Sequence, residues 1–375
     1  MAGLLAWRNL AHDRARLLVT LVGVAFAVAL VAIQAGLFLG FSETATTVIA
    51  NTRADLWVAA KGTQNFETPS PLGEREYYRL RALPGIADAE PLVVQFLPWR
   101  RPAGGDEGVI VVGFDTASGI AGPWRTLAGA VADLRRGDTV AVDRIYLDKL
   151  GVRGVGDQAE IAGRRARVAV ITDGIRSFTT SPWVFASLRT AREMAGLREG
   201  EAHYVIAKVA PGHDPDAVLA AARRALPDAL VLRSEQFATR TAHYWIHSTG
   251  AGAALFTAAL LALVVGSAIV AQVLYATTVD HLAEFGTLRA MGAPARFVRG
   301  VIAWQAVIAA LLGHATGAAL ALLAARLSEN STALVVVPLA LAAVLFFVTL
   351  AMCAAGSVVA ARKAATVDPA LVFQR

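Results

Sequence analysis

Four long apolar stretches without charged residues constrain this chain more than any other feature. They cover residues 17–42, 248–279, 300–325 and 331–361, and none of them contains Asp, Glu, Lys or Arg. About 20 apolar residues in a helix are enough to cross the hydrocarbon core of a bilayer. The sequence therefore predicts an integral membrane protein with four transmembrane helices, rather than a soluble domain with buried helices.

Positive charge is concentrated at the ends of these stretches that share one side of the predicted membrane. Segments rich in Lys and Arg stay in the cytoplasm. This rule predicts a cytoplasmic amphipathic helix at 1–16, a cytoplasmic loop at 280–299 and a cytoplasmic tail at 362–375. Residues 43–247 and the short loop 326–330 then lie outside. The residues that set this orientation are Arg8, Arg14, Arg16, Arg289, Arg296, Arg299, Arg362, Lys363 and Arg375.

The bulk composition agrees with this topology. Much of the positive excess behind the net charge of +6 flanks the spans, where it sets their orientation, so no nucleic-acid partner is predicted. The first stretch is much longer than the apolar core of about 7–15 residues in a signal peptide, which predicts an uncleaved anchor. The single cysteine, Cys353, lies in the fourth stretch. The outer domain therefore has no disulfide, and the chain cannot hold a cysteine-based metal cluster.

Two strand–helix–strand units are predicted in the outer block, one near its start and one near its end. Each predicted helix stops at a Leu-Pro pair, at residues 83–84 and 226–227. Two such units form the split βαβ layer of a ferredoxin-like fold. Residues 100–200 predict an inserted, mainly β lobe. The strand candidates are 55–60, 89–94, 203–209 and 229–232 in the layer, and 108–114, 139–142, 167–172 and 183–186 in the lobe.

The predicted fold class is thus an α-helical membrane protein with four transmembrane helices. A large α+β extracytoplasmic domain, made of the ferredoxin-like layer and the inserted lobe, lies between the first and second helices.

The second stretch is too long to be only a membrane span. As a helix its 32 residues would reach ~48 Å, against a hydrocarbon core of ~30 Å. We therefore expect a continuous helix from Phe237 into the membrane, with a tilted span after a loop as the alternative. Tyr244 and Trp245 would lie at the membrane interface, as would Trp7 in the N-terminal helix.

Signatures of enzyme chemistry are not found in the sequence. It contains no G-x-x-x-x-G-K-[ST], no H-E-x-x-H and no G-x-S-x-G motif. His243 and His247 share a helix face but have no evident third metal ligand. We therefore predict no catalytic, cofactor or metal site in this chain.

His314 lies between Gly313 and Gly317 within the third stretch. An ionisable group inside a membrane is a candidate functional residue. The alternative is a neutral histidine that bonds to a neighbouring helix where small residues allow close packing. The three residues are predicted to form an intramembrane helix contact.

The loop at 280–299 predicts a short amphipathic helix that stops at Gly292. Leu282, Phe285 and Leu288 form one apolar stripe on it. Such a stripe suits insertion into a groove on a partner protein, and a helix lying on the lipid surface is the alternative.

This loop carries a family resemblance. Residues 284–292, with the sequence EFGTLRAMG, resemble the coupling-helix signature of MacB/FtsX-type (type VII) ABC transporter permeases. Residues 6–10 and 360–370 resemble the family's first and last motifs, and the order of one span, a large domain and three spans is similar too. The resemblance is closest to the DevC-like subgroup, named for a heterocyst glycolipid exporter. Through it, contact with an ATPase is expected at Leu282, Glu284, Phe285, Gly286, Thr287, Leu288, Arg289, Met291 and Gly292.

The resemblance implies a non-catalytic permease subunit in a bacterial inner membrane. ATP and Mg²⁺ would be bound by a separate ABC ATPase. The implied partners are a second copy of the chain, a periplasmic membrane-fusion (adaptor) protein and a TolC-like outer-membrane channel. Transmission of movement to the periplasmic domain would drive export of a lipid, glycolipid or small molecule. Alternating access, an FtsX-like regulator of cell-envelope hydrolases and a lipoprotein-release permease are the alternatives.

Overall fold

The computed structural model describes residues 2–179 and 181–365. The predicted tail motif therefore lies partly outside the described residues. The backbone divides into two compact units. The helical unit contains residues up to Gly40, Ala253–Glu329 and residues from Leu334 onward, and the α/β unit contains Phe41–Gly252 and Asn330–Ala333.

The helices of the described chain are α1 (Ala2–His12), α2 (Arg14–Thr44), α3 (Thr47–Asn51), α4 (Glu74–Arg81), α5 (Leu147–Leu150), α6 (Leu188–Ala195), α7 (Pro215–Ala225), α8 (Ser234–His243), α9 (Gly250–Asp280), α10 (Leu282–Ala290), α11 (Ala295–Ser328) and α12 (Leu339–Ala365). The strands are β1 (Leu56–Ala60), β2 (Ile86–Arg100), β3 (Asp106–Phe114), β4 (Thr126–Ala128), β5 (Thr139–Asp143), β6 (Gln158–Ile161), β7 (Arg164–Thr172), β8 (Trp183–Ser187), β9 (Tyr204–Val209) and β10 (Ala229–Arg233).

Helices α2, α9, α11 and α12 are each long and apolar enough to cross a membrane. This confirms the predicted fold class of four apolar helices with a mixed α/β domain after the first. The fourth helix begins at Leu339, however, and not at residue 331 as predicted. Pro338 explains the delay, because proline lacks a backbone N–H and is tolerated only in the first turn of a helix. It precedes the helix, and its carbonyl accepts the N–H of Ala342 at 3.1 Å.

The non-helical segment before α12 packs on α2 at two glycines. The Val336 N–H donates to the Gly36 carbonyl at 3.0 Å. A Cβ atom on Gly40 would overlap the carbonyl oxygen of Leu334. This segment lies against the bare backbone of α2, and no larger residue would fit at Gly40.

The first sheet of the α/β unit confirms the ferredoxin-like layer. Its strand order is β10–β1–β9–β2, and all neighbours are antiparallel. This is the order that two βαβ units give when they interleave. Alternate residues point to opposite faces of a strand. Leu56 and Val58 accordingly pack with Leu80 of α4 and Leu219 of α7, whereas Trp57 packs on the opposite face.

The inserted lobe is a second sheet that shares strand β2 with the first. Residues 86–92 of β2 pair with β9. Residues 93–100 of the same strand pair with β3, with Val93 opposite Gly113. Beyond β3 the order is β8–β5–β7–β4, and β6 pairs with β2 and β7. The lobe is therefore mainly β, as predicted, but it continues one strand of the layer.

The expected continuous helix into the second span is wrong. Helix α8 passes into a π-helical turn at Tyr244–Ser248, and Thr249 is extended (φ −109°, ψ 154°) before α9 begins. The Thr249 hydroxyl donates to the Trp245 carbonyl at 2.6 Å, and such side-chain bonds compete with helical backbone bonds. A Cβ atom on Gly252 would overlap the backbone of Ile246. The close return of the chain therefore requires glycine after the break.

Candidate functional site

Helix α10 is short and has a sharp boundary at each end. Only His281 separates it from α9. At the other end the Gly292 N–H donates to the Arg289 carbonyl and the Ala293 N–H to the Leu288 carbonyl, each at 3.0 Å. With Gly292 at φ +93°, this is a Schellman motif, which favours glycine because its φ is positive. The predicted stop at Gly292 is confirmed.

The apolar stripe of α10 faces the protein's own interior. Phe285 is 1% exposed. It lies in a buried cluster with Ala6 of α1, Val298 of α11 and Ala360 of α12. Leu282 and Leu288 are partly buried against the same cluster. The prediction that this stripe inserts into a partner's groove is therefore wrong, and its physical role is to fix α10 on three other helices.

A different face of α10 is exposed. Ala283, Thr287, Ala290 and Met291 lie on it at helical spacing. Met291 is 72% exposed. The Thr287 hydroxyl donates to the Ala283 carbonyl at 2.9 Å, so it is bonded within the helix. This surface, called here the α10 face, consists of short or flexible side chains and is not polar. The helix is accordingly not amphipathic in the predicted sense.

Glu284 connects the N-terminal helix to α10. One carboxylate oxygen lies 3.0 Å from Nδ1 of His281, and the other accepts from Nδ2 of Asn9 at 3.2 Å. Gly286 is buried on the same helix. The predicted ATPase contacts therefore differ in exposure: Phe285 and Gly286 are buried, whereas Thr287 and Met291 are exposed.

The three aromatic residues predicted at the membrane interface have different surroundings. Trp7 on α1 is 47% exposed. Trp245 instead packs inside the α/β unit: its Nε1–H donates to Oε2 of Glu67 at 2.9 Å, and its ring lies 4.7 Å from that of Phe178. The Tyr244 ring meets the Trp245 ring edge-on at 5.4 Å.

Gly313 and Gly317 bring α11 against α2. A Cβ atom on Gly317 would lie 2.7 Å from the Ala25 carbonyl oxygen and 2.7 Å from Cβ of Val28. Gly313 would overlap Val24 in the same way. Glycine at both positions therefore permits an approach that alanine would prevent, as at other small-residue crossings in membranes.

His314 makes contacts with the neighbouring helix α12. Its Nδ1 lies 3.3 Å from Oγ1 of Thr349, and its ring meets that of Phe346 edge-on at 5.3 Å. The Thr349 hydroxyl also donates to the Leu345 carbonyl at 2.7 Å. It therefore accepts from the Nδ1–H of His314, and this bond joins α11 to α12.

The two histidines of the π-helical turn region stack on each other. The rings of His243 and His247 are 4.3 Å apart, and Nδ1 of His247 lies 3.2 Å from the His243 carbonyl oxygen. In the described ranges, no group of three His, Cys, Asp or Glu side chains could hold a metal ion.

The structure also shows polar contacts that sequence reasoning missed. Arg176 donates through Nε to the Ser331 carbonyl at 3.1 Å, and Arg144 donates to Oδ1 of Asn330 at 3.3 Å. They join the lobe to the loop between α11 and α12. Glu67 was missed as well, although Asn65 and Thr68 beside it have the spacing of a side-chain-stabilised turn.

Two family models and several known permeases match this chain. The family model described as "MacB-like periplasmic core domain" matches residues 17–225, and the one described as "FtsX-like permease C-terminal" matches residues 256–369. An uncharacterised ABC transporter permease of Mycobacterium tuberculosis (strain ATCC 25618 / H37Rv) is 25% identical over 370 residues, 98% of each chain. A second permease of that strain is 23% identical over 376 residues, again 98% of each chain.

Two solved structures are similar to part of this chain. The extracellular domain of the noncanonic ABC-type transporter YknZ from Gram-positive bacteria is 14% identical, with a TM-score of 0.37, and the match covers 48% of this chain and 98% of that one. The periplasmic region of MacB from Actinobacillus actinomycetemcomitans is 10% identical, with a TM-score of 0.38, covering 51% and 94%.

Proposed function

Because the chain belongs to the ABC transporter permeases with a MacB-like periplasmic core domain and an FtsX-like C-terminal region, we propose that it couples ATP hydrolysis in a separate ATPase to movement of its α/β unit. The observation that carries this proposal is the α10 face. It is an exposed, uncharged surface on a helix that is held from behind by a fully buried phenylalanine.

The α10 face suits protein contact for a steric reason. Ala283, Thr287 and Ala290 have short side chains, so another protein can approach the helix closely. Met291 is flexible and adapts to an irregular surface. ATPase contact would therefore be made by Ala283, Thr287, Ala290 and Met291, with Glu284 at the edge. Leu282, Phe285, Gly286 and Leu288 would support the helix from inside.

Support behind the face would make movement of α10 a movement of several helices. Phe285 joins it to α1, α11 and α12, and Glu284 bonds to Asn9 of α1. A rigidly packed core transmits displacement because it has few voids into which it could yield. The short link through His281 would pass the movement to α9, and the chain then continues through Thr249 into the π-helical turn.

The orientation in the membrane is part of the proposal. The arginines that flank the spans favour α1, α10 and both termini in the cytoplasm, where ATP is available. The α/β unit would lie outside the inner membrane of a bacterium. Consistent with movement of the outer unit rather than a polar path, the four apolar stretches contain no Asp, Glu, Lys or Arg.

Similarity to MacB/FtsX-type permeases supports the finer parts of the proposed assembly. We propose a homodimer that works with a periplasmic membrane-fusion (adaptor) protein and a TolC-like outer-membrane channel, and that exports a lipid, glycolipid or small molecule. Membership of the DevC-like subgroup belongs to this proposal.

Co-purification tests the proposal. The tagged full-length chain, extracted in a mild detergent from its own cells, should retain an ABC ATPase subunit and a membrane-fusion protein. Ala290→Arg places a long, charged side chain on the α10 face. This variant should therefore lose the ATPase in the same purification. Recovery of a cell-wall hydrolase in place of the fusion protein would favour regulation instead. Equal ATPase recovery with the variant would contradict the assignment of the α10 face.

A further inference from the structure

The π-helical turn before α9 is held by two loops of the α/β unit. Trp245 in this turn contacts Phe178, which lies between β7 and β8, with ring centroids 4.7 Å apart. Phe178 in turn meets Phe41 at the end of α2 at 5.1 Å. On its other side Trp245 donates to Glu67, in the loop between β1 and α4, at 2.9 Å. Trp245 is therefore the point where these segments meet, five residues before α9 begins.

The loop that carries Glu67 is ordered by its own bonds. Oδ1 of Asn65 accepts the N–H groups of Glu67 and Thr68 at 3.0 and 2.9 Å. The Tyr204 hydroxyl lies 2.9 Å from the Phe66 carbonyl oxygen, to which it donates. From α8, Arg240 donates through Nε to the Thr63 carbonyl at 2.9 Å. The backbone around Glu67 is thus fixed before its side chain is considered.

The Glu67 carboxyl is buried and only half satisfied. Its residue is 8% exposed. Oε2 accepts from Trp245, whereas Oε1 has no hydrogen-bond partner among the described residues. Thr241 lies one turn before Trp245 on the same helix face, and its buried hydroxyl is without a partner in the described chain too. Burying an ionised carboxylate with one oxygen unsatisfied costs much more free energy than burying the protonated, neutral carboxyl.

The charged and titratable groups near Glu67 do not neutralise it. Arg240 is engaged by Thr63 and by Gln64, whose Oε1 accepts from it at 3.1 Å. The Tyr204 hydroxyl is bonded to backbone carbonyls. His243 and His247 are on the exposed side of the helix. Burial consequently raises the pKa of Glu67 to about 7, and the Trp245 hydrogen bond lowers that pKa only in part.

We propose that Glu67 and Trp245 form a proton-controlled latch, which holds the π-helical turn against the α/β unit when Glu67 is protonated and releases it when Glu67 ionises. This inference goes beyond the proposed function and does not depend on an ATPase. It concerns how firmly the segment before α9 is attached to the outer unit.

The direction of the pH effect follows from linkage. The closed latch binds the proton more tightly than an open form in which Glu67 is exposed and has its ordinary pKa of 4.5. The contribution of Glu67 to the stability of the closed form is therefore fully present below pH 4.5 and is lost as the pH rises toward 7. The closed-to-open ratio should fall by about two orders of magnitude across this window.

Hydrogen exchange of the full-length chain in lipid nanodiscs, without ATPase, tests the latch. After correction for the intrinsic pH dependence, protection of the backbone amides in the π-helical turn, residues 244–248, should fall at least about ten-fold between pH 5 and pH 8. Glu67→Gln should keep its protection at both pH values, because glutamine is neutral and its oxygen can still accept from Trp245. Protection that is independent of pH in the unmodified chain, or an unchanged pH dependence in Glu67→Gln, would overturn the latch.

Two further variants separate the latch from a general pH effect. Glu90 is a second buried carboxyl whose pKa burial raises to about 7, but it accepts from Ser118 and from the Ala121 N–H instead. Glu90→Gln should leave the pH dependence of protection in the π-helical turn unchanged. Trp245→Phe removes the bond that lowers the pKa of Glu67, so the midpoint should move to higher pH. A midpoint shifted by Glu90→Gln, or one unmoved by Trp245→Phe, would contradict the assignment to this pair.

Discussion

Arginine in place of Thr287 should reduce stimulation of the partner ATPase at least about ten-fold while the chain still folds and inserts. Thr287 is exposed in the middle of the α10 face, and its hydroxyl bonds only within its own helix. The longer, charged side chain would keep the ATPase from approaching the short residues around it, and an unpaired charge would be desolvated in the contact. The expected loss rests on the proposed function and is measured as ATP hydrolysis in proteoliposomes that contain both subunits.

Thr239→Arg is the matched control for this experiment. Thr239 is also an exposed helical threonine, and its hydroxyl donates to the carbonyl four residues earlier, that of Glu235, at 2.8 Å. It lies on α8 of the α/β unit. Stimulation should therefore be unchanged in Thr239→Arg. Equal losses in the two variants, or none in Thr287→Arg, would show that the α10 face is not where the ATPase acts.

Alanine in place of Phe285 should lower the free energy of unfolding of the helical unit by about 3–5 kcal/mol. This is the range for removing a fully buried phenylalanine from a well-packed core, because a cavity is left behind. Phe285 contacts helices α1, α11 and α12 through its cluster, so no single neighbour can close the gap. The measurement is chemical unfolding of the purified full-length chain in detergent micelles.

Met291→Ala provides the comparison for Phe285→Ala. Met291 lies close to Phe285 in the sequence but is 72% exposed, and exposed substitutions usually change stability by less than about 0.5 kcal/mol. Met291→Ala should therefore reduce stimulation of the ATPase while leaving the free energy of unfolding nearly unchanged. If Phe285→Ala were as stable as the unmodified chain, Phe285 would not be the internal support of α10.

Helix α10 was predictable from the sequence in part only. Helical periodicity identified Leu282, Phe285 and Leu288 as one stripe. It could not show whether the stripe faces a partner or the chain itself, because Ala283, Ala290 and Met291 on the other face are apolar as well. The side was settled by contacts with Ala6 and Val298, which are distant in sequence.

The fold of the outer unit was largely predictable for a local reason. Helices that stop at Leu-Pro, with alternating strands on both sides, define each βαβ unit by themselves. Strands β4 and β6 were missed because they have only 3 and 4 residues. The sharing of β2 between two sheets was missed too, since it depends on which strands pair with each half.

The ends of the membrane helices were predicted less well than their existence. Apolar composition alone cannot separate the non-helical residues before Pro338 from the helix after it. Likewise the break at Thr249 depends on a side-chain bond to Trp245 and on the close approach at Gly252. Neither feature interrupts the apolar run.

The most direct test of the central claim is photo-cross-linking from the α10 face. A benzoylphenylalanine at position 287 of the full-length chain, irradiated in membranes that contain the whole transporter, should form an adduct with the ATPase subunit. The same group at position 239 should form none. We expect an ATPase adduct at position 287 alone. Absence of that adduct in membranes from which the ATPase still co-purifies, or equal adducts at both positions, would contradict it.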